Sequence, residues 1–215
     1  MRRVNLNRKR NEKGNALIEL AVVSIVIIPL FFGMVGIGIN LGHMNQAVQI
    51  SRDVGHMYAK GVDFSQAGNQ NIVIDLATGT GITTTGGNGV VTLSQVIQVY
   101  QADCNAAGYS SSQCTNLGQL VFINRIVIGN SGLRASNYGT PTSSIVNSSG
   151  NIAAADYLTN SSAVVTGTLS SEMTSAGFTL SDGAIAYLSE LYLSTPDISY
   201  LGTVGSGGVY GKAVF

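Results

Sequence analysis

From Leu20 to Ile39 the chain runs for twenty residues without a formal charge, LAVVSIVIIPLFFGMVGIGI. As a helix rising about 1.5 Å per residue, such a run spans roughly 30 Å, the thickness of a bilayer hydrocarbon core. A secretory signal peptide would carry an apolar region of about 7–15 residues followed by a small-x-small cleavage site. This run is longer, and Asn40-Leu41-Gly42-His43-Met44 follows it with no such site. It reads as a transmembrane helix that stays on the mature chain. Pro29, Gly33, Gly36 and Gly38 fit that reading, because membrane helices tolerate both residue types where neighbouring helices pack.

The charges give the span a direction. Lys plus Arg and Asp plus Glu are equal at 11 each, but they are not mixed. Residues 1–13 hold Arg2, Arg3, Arg8, Lys9, Arg10 and Lys13 against Glu12, while the rest of the chain has a net negative charge. The positive-inside rule places this basic stub in the cytoplasm and the residues after about 42 outside. A basic tail on a mildly acidic body also argues against a nucleic-acid partner, which would need the positive charge on the folded part.

One ionisable residue stands inside the apolar stretch. Glu19 is flanked by Leu17, Ile18 and Leu20, where a carboxylate costs a few kcal/mol at least and is by default a functional candidate. The bland alternative is a carboxylate that snorkels to the interface. Asn15 and Glu19 are four apart and share a helix face. An α-ammonium created at Asn15 could therefore pair with Glu19, in the same subunit or the next, and offset much of the cost of burying both charges. Gly14 would give a cleaving enzyme an unhindered backbone.

The segment Lys13-Gly14-Asn15-Ala16-Leu17-Ile18-Glu19 resembles the class III signal of type IV pilins. Adding Leu20, then Pro29-Leu30-Phe31-Phe32-Gly33, then the polar continuation Met44–Ala59, the chain is similar over about residues 8–62 to the TadE/TadG-like minor pilins, pseudopilins of the tight-adherence (Flp) pilus system. The resemblance implies cleavage between Gly14 and Asn15 by a membrane-embedded prepilin peptidase. It also implies partners: an inner-membrane pilus platform with its ATPase, other minor pilins and the major pilin. The location it implies is a bacterial inner membrane, with the N-terminus cytoplasmic and the C-terminal domain periplasmic or on the pilus or cell surface.

Beyond the span, Met44, Ala47/Val48, Val54 and Met57/Tyr58 recur at helical spacing, predicting one long helix from about 15 to 60 that stops at Lys60-Gly61. A second helix is expected over 65–78 with Ser65 as its N-cap, and one or two turns over Leu169–Ala176. Strands are expected at Val90–Tyr100, Gln119–Ile128, Ala184–Ser194 and Gly208–Phe215, from their β-branched and aromatic content. The expected class is α+β: a long N-terminal helix, transmembrane then amphipathic, packed on an antiparallel β-rich exported domain. The expected divisions are 1–14 leader, 15–41 transmembrane helix, 42–62 amphipathic extension and 63–215 exported domain.

Cys104 and Cys114 have nine residues between them, in the loop expected between the two central strands. In an oxidising compartment a disulfide is the natural reading, and no further residues suggest a metal site. His43 and His56 are thirteen apart on one helix, about 220° around its axis, and do not form a metal pair. Glu190 is read as a solvent-side residue or a partner of Arg125 or Arg134. No constellation suited to catalysis, cofactor binding or metal binding is found, so the chain is expected not to be an enzyme. The alternative to an assembly protein is an unprocessed, membrane-anchored extracytoplasmic binding or adhesion protein.

Overall fold

The computed structural model describes residues 8–194 and 208–215; the first seven residues of the expected leader lie outside them. Helix α1 covers Arg8–Ala59 and passes through Pro29. It starts earlier than the expected residue 15, because Arg8–Lys13 contains good helix formers and no breaker. Then come α2 (Ala67–Leu76), β1 (Gly89–Gln98), α3 (Gln101–Ala106), β2 (Leu120–Gly129), α4 (Ala154–Thr159), a 3₁₀ turn at Ser161–Ala163, α5 (Leu169–Ser175), β3 (Ile185–Leu193) and β4 (Val209–Val214). The class is α+β, with a long N-terminal helix packed on an antiparallel sheet. By its contacts the chain divides into two units after Gly42.

Helix α1 ends in a Schellman motif. The Gly61 N–H reaches the Tyr58 carbonyl at 3.0 Å, and the Val62 N–H reaches the Met57 carbonyl at 3.0 Å. Gly61 has φ of +87°, a conformation that favours glycine, which is why the stop falls here. The N-cap position of α2 is Gln66 rather than the expected Ser65, without a side-chain cap hydrogen bond, and the Ser65 N–H donates to the Asp63 carboxylate at 2.9 Å.

The sheet order is β2-β1-β3-β4, all neighbours antiparallel. β1 and β3 are therefore central and β2 lies at an edge, correcting the expectation that β1 and β2 form the centre. The outer side of β2 is covered by bridges to Asn151 and Val164. One face of the sheet packs against the last turns of α1. Ala47, Ile50, Val54 and Tyr58 on the helix join Val91, Leu93, Ile126, Ile128, Leu191 and Leu193 in one core. The helical positions follow the i, i+3, i+7, i+11 stripe of a half-buried helix. Met44, expected on that stripe, is exposed.

The opposite face is covered by the long segment between β2 and β3. Tyr138, Ile145, Ile152, Leu169, Met173 and Leu180 pack there against Val96, Phe122, Ala186 and Leu188. A sheet buried on both faces explains strands that read as apolar runs rather than clean alternation. A β-bulge between Gln95 and Val96 pairs Gln95 with Asn124 but Val96 with Phe122, leaving Ile123 as the extra residue. The bulge reverses the facing of β2, so Ile126 and Ile128 face the helix while Phe122 joins the other core.

Helix and sheet approach closely at Gly211. A Cβ there would lie 2.7 Å from the Ala47 carbonyl oxygen and 3.0 Å from the Val48 nitrogen, both backbone atoms that cannot rotate away. Gly211→Ala should destabilise the domain by about 1–3 kcal/mol in urea unfolding, the usual cost of overpacking. Gly68→Ala, in α2 with nothing within 4 Å of the added carbon, should be neutral or stabilising.

Candidate functional site: an apolar helix and a polar domain

Between Leu17 and Met44, α1 exposes large apolar side chains on every side, among them Leu20, Ile25, Phe31, Met34, Ile37 and Leu41. A helix apolar all round belongs in a membrane or deep in a protein, and this one is long and apolar enough to cross a bilayer. Gly14 and Asn15 have helical backbone within α1. Extended presentation of that junction to a peptidase would require local unwinding of the first turns. Glu19 is exposed on the same helix, one turn beyond Asn15. Among the described residues Glu19 makes no hydrogen bond or ion pair.

Cys104 and Cys114 form a disulfide, Cα atoms 6.0 Å apart. Cys104 lies on α3, a helix missing from the sequence expectation, and both cysteines pack with Val99, Val121 and Leu158 in a small satellite core. Buried Asn116 ties this corner together, donating to the carbonyls of Tyr157 and Asn160 at 2.9 Å each.

The sheet face away from α1 carries a buried polar layer. Glu190 is not on the solvent side: it is 4% exposed and accepts from the Asn137 N–H at 2.9 Å, the Tyr210 hydroxyl at 2.6 Å and the Ser136 hydroxyl. The covering segment 134–139 comes from far along the chain, which local alternation in β3 cannot reveal. Glu190 forms no ion pair with Arg125 or Arg134. Arg134 lies over the Tyr210 ring, 4.5 Å from its centroid, and Arg125 lies 5.3 Å over Phe122 while donating to the Gly139 carbonyl at 2.8 Å. Burial lowers the Arg125 pKa, and the Glu190 charge acts in the opposite sense. The same hydrogen-bonded neighbourhood raises Tyr210 and Tyr138, burial being the leading cause in both.

Among the described residues, the ion pair is Lys212 with Glu172 at 2.6 Å, joining β4 to α5. Burial acts to raise the Glu172 carboxyl, but hydrogen bonds from Lys212, Thr168 and Tyr138 outweigh it and hold the group below the usual carboxylate range.

Among the described residues, two of the clefts on the domain are large enough to hold a small molecule. One, of about 480 Å³, lies where β1 ends and β2 begins, with Leu117, Met173 and Phe178 beside Gln98, Gln119 and Thr179. The other, of about 350 Å³, lies beside the C-terminal end of α1, between Asp63, Gln95, Asn124 and Asn151. Sequence reasoning found neither. The available signal was Asn124-Arg125, a polar pair interrupting the apolar strand QLVFINRIVI.

No protein-family model, no curated protein and no solved structure matches this chain.

Removing the buried acceptor should be costly. Glu190→Leu orphans the Asn137 N–H and the Ser136 and Tyr210 hydroxyls, and should lower unfolding free energy by about 2–5 kcal/mol. Glu190→Gln, which keeps an acceptor oxygen, should cost less by the same urea titration. Because the Glu172 pKa is depressed on folding, its contribution is present above the unfolded value of about 4.3 and is lost as pH falls through the folded one. The pair is partly exposed, so Lys212→Met should cost about 1 kcal/mol or less at pH 7. The difference from wild type should vanish in melts run below the folded pKa.

Proposed function

We propose that this protein is a minor pilin or pseudopilin of the TadE/TadG-like kind, processed by a prepilin peptidase and taking part in assembly of a tight-adherence type pilus. The observation that carries the reading is α1 itself. One helix combines a basic start, an apolar stretch exposed on all sides and a C-terminal stripe buried in an α+β domain. The chain thus carries both a membrane-compatible helix and a folded domain. The Gly14-Asn15 junction and Glu19 stand near the start of that helix with the spacing of a class III signal.

In this reading the chain inserts with residues 1–13 in the cytoplasm, and the domain from His43 onward lies outside the inner membrane. The disulfide supports an oxidising location for that domain. The peptidase cuts after Gly14, freeing an α-ammonium at Asn15. Glu19 accepts that charge from a neighbouring subunit and sets the axial stagger of packed helices, since an unpaired charge among apolar helices is costly. The platform and its ATPase, other minor pilins and the major pilin are the partners that such an assembly requires.

Co-expression with a prepilin peptidase of the same system should yield a mature N-terminus at Asn15 by mass spectrometry. Recovery of the full-length chain alone, or a cut beyond Ile39, would overturn the reading in favour of a tethered, unprocessed protein. Glu19→Ala should leave insertion, domain folding and cleavage intact while lowering co-purification of partner pilins by about tenfold or more, the scale of an unpaired buried charge. Wild-type recovery of partners would reduce Glu19 to an interfacial side chain.

A further inference from the structure

We propose that the cleft beside the C-terminal end of α1 is a binding site for a neutral, hydroxyl-rich ligand, a saccharide. Its walls come from separate parts of the domain. The turn after α1 supplies Asp63, β1 supplies Gln95, β2 supplies Asn124, and the loop before α4 supplies Ser149 and Asn151. Its volume of about 350 Å³ falls at the lower end of the range for small-molecule sites, roughly 300–1,000 Å³.

The site is held in place by its neighbours. Asn124 is buried and clamped: its side-chain oxygen accepts from the Tyr58 hydroxyl at 2.6 Å, and its nitrogen donates to the Asn151 side-chain oxygen at 2.6 Å. The bulge at Ile123 is what turns Asn124 to this face, and bulges recur where a side chain must be re-aimed. The opposing loop is equally fixed. The Asn147 side chain accepts from the Ser149 and Asn151 N–H groups at 2.9 Å each. Gly150 has φ of +80°, and a Cβ there would lie 2.5 Å from the Arg125 carbonyl oxygen, so only glycine lets this loop sit so close to β2.

Within this frame several polar groups have unused capacity. Among the described residues the Gln95 amide makes no hydrogen bond, although Gln95 is half-buried. Among the described residues the Asn151 side-chain nitrogen and the Ser149 hydroxyl also lack partners, and the Tyr58 oxygen, while donating its hydrogen bond to Asn124, can still accept. Primary amides present donor and acceptor side by side, matching adjacent hydroxyls on a sugar ring. Val62 and Ile126 in the same lining offer apolar contact for its C–H face.

The electrostatics narrow the class. Asp63 is the charged lining residue, and hydrogen bonds from the Ser65 side chain and backbone and from Gln66 hold its pKa below the usual range. An ionised carboxylate in a lining that includes no Lys or Arg disfavours phosphates, sulfated glycans and acidic sugars. Among the described residues no group of three or more His, Cys, Asp or Glu side chains gathers to hold a metal ion. The proposal does not depend on leader cleavage, so its failure would leave the mature N-terminus unaffected and distinguishable.

The test uses the full chain in lipid nanodiscs, so that no glycoside detergent competes. An array of neutral hexose- and N-acetylhexosamine-terminated oligosaccharides is screened beside sialylated and sulfated counterparts, and the best binder is then titrated by calorimetry. A neutral glycan should bind at one site per chain. Gln95→Leu and Asn151→Asp should each weaken it by about tenfold or more, with melting temperatures close to wild type. Asn151→Asp keeps the oxygen that Asn124 uses, deletes the free donors and adds a second carboxylate to the lining, whereas Gln95→Leu removes an amide without adding charge. Should either variant melt early, Ser149→Ala replaces it, because that hydroxyl is exposed and unpaired. The proposal fails if no neutral glycan binds below about 10 mM, if acidic glycans are preferred, or if affinity in the folded variants stays within about twofold of wild type.

Discussion

The close packing of the last turns of α1 on the sheet is the contact on which the rest of the domain depends. Ala47 and Val48 present bare backbone to Gly211, and this lets the helix settle low enough for Ile50, Val54 and Tyr58 to reach β1, β2 and β3. Without the helix, Val91, Leu93, Ile126, Ile128, Leu191 and Leu193 would lose their cover. Each such side chain is worth about 1.5–3 kcal/mol on burial. The outer turns of α1 are therefore part of the domain's core, and the element that carries the apolar stretch is the same element that completes the fold.

The opposite face is organised by a different force. There the covering segment is held by apolar side chains at one end and by hydrogen bonds to a buried carboxylate at the other. Glu190 has no ion pair, yet it accepts from two hydroxyls and a backbone N–H, the kind of compensation that makes burial of such a group tolerable. This arrangement fixes segment 134–139 by direction as well as by contact, because hydrogen bonds have geometry and apolar contacts do not. Buried Arg125 is tied less completely, its Nε lacking a partner while Nη1 holds Gly139.

The molecule thus joins two chemistries along one chain. Between Ala16 and Leu41, α1 offers apolar contact with a single carboxylate, Glu19, among it, an arrangement suited to lipid and to other apolar helices. The domain offers amides, hydroxyls and few charges, arranged in a fixed cleft at the C-terminal end of the same helix. The disulfide and Asn116 brace the corner beyond β1 and β2, where the connection is long and the local core small.

Sequence alone was enough for whatever depends on local period and composition. The apolar run, its length, the amphipathic continuation, the Gly61 stop and the four strands are all read from neighbours within a few residues. So is the α+β class, which follows from one helical stretch and several β-branched runs. Tertiary structure decided what depends on distant partners. The strand order put β3 rather than β2 beside β1 at the centre. The bulge at Ile123 reversed the faces of a strand whose apolar run gave no hint of a reversal. The N-cap of α2 fell on Gln66 rather than Ser65, and Glu190 became buried because residues more than fifty positions earlier fold over it. A side chain's burial is a property of what covers it, and in this domain the cover comes from elsewhere in the chain.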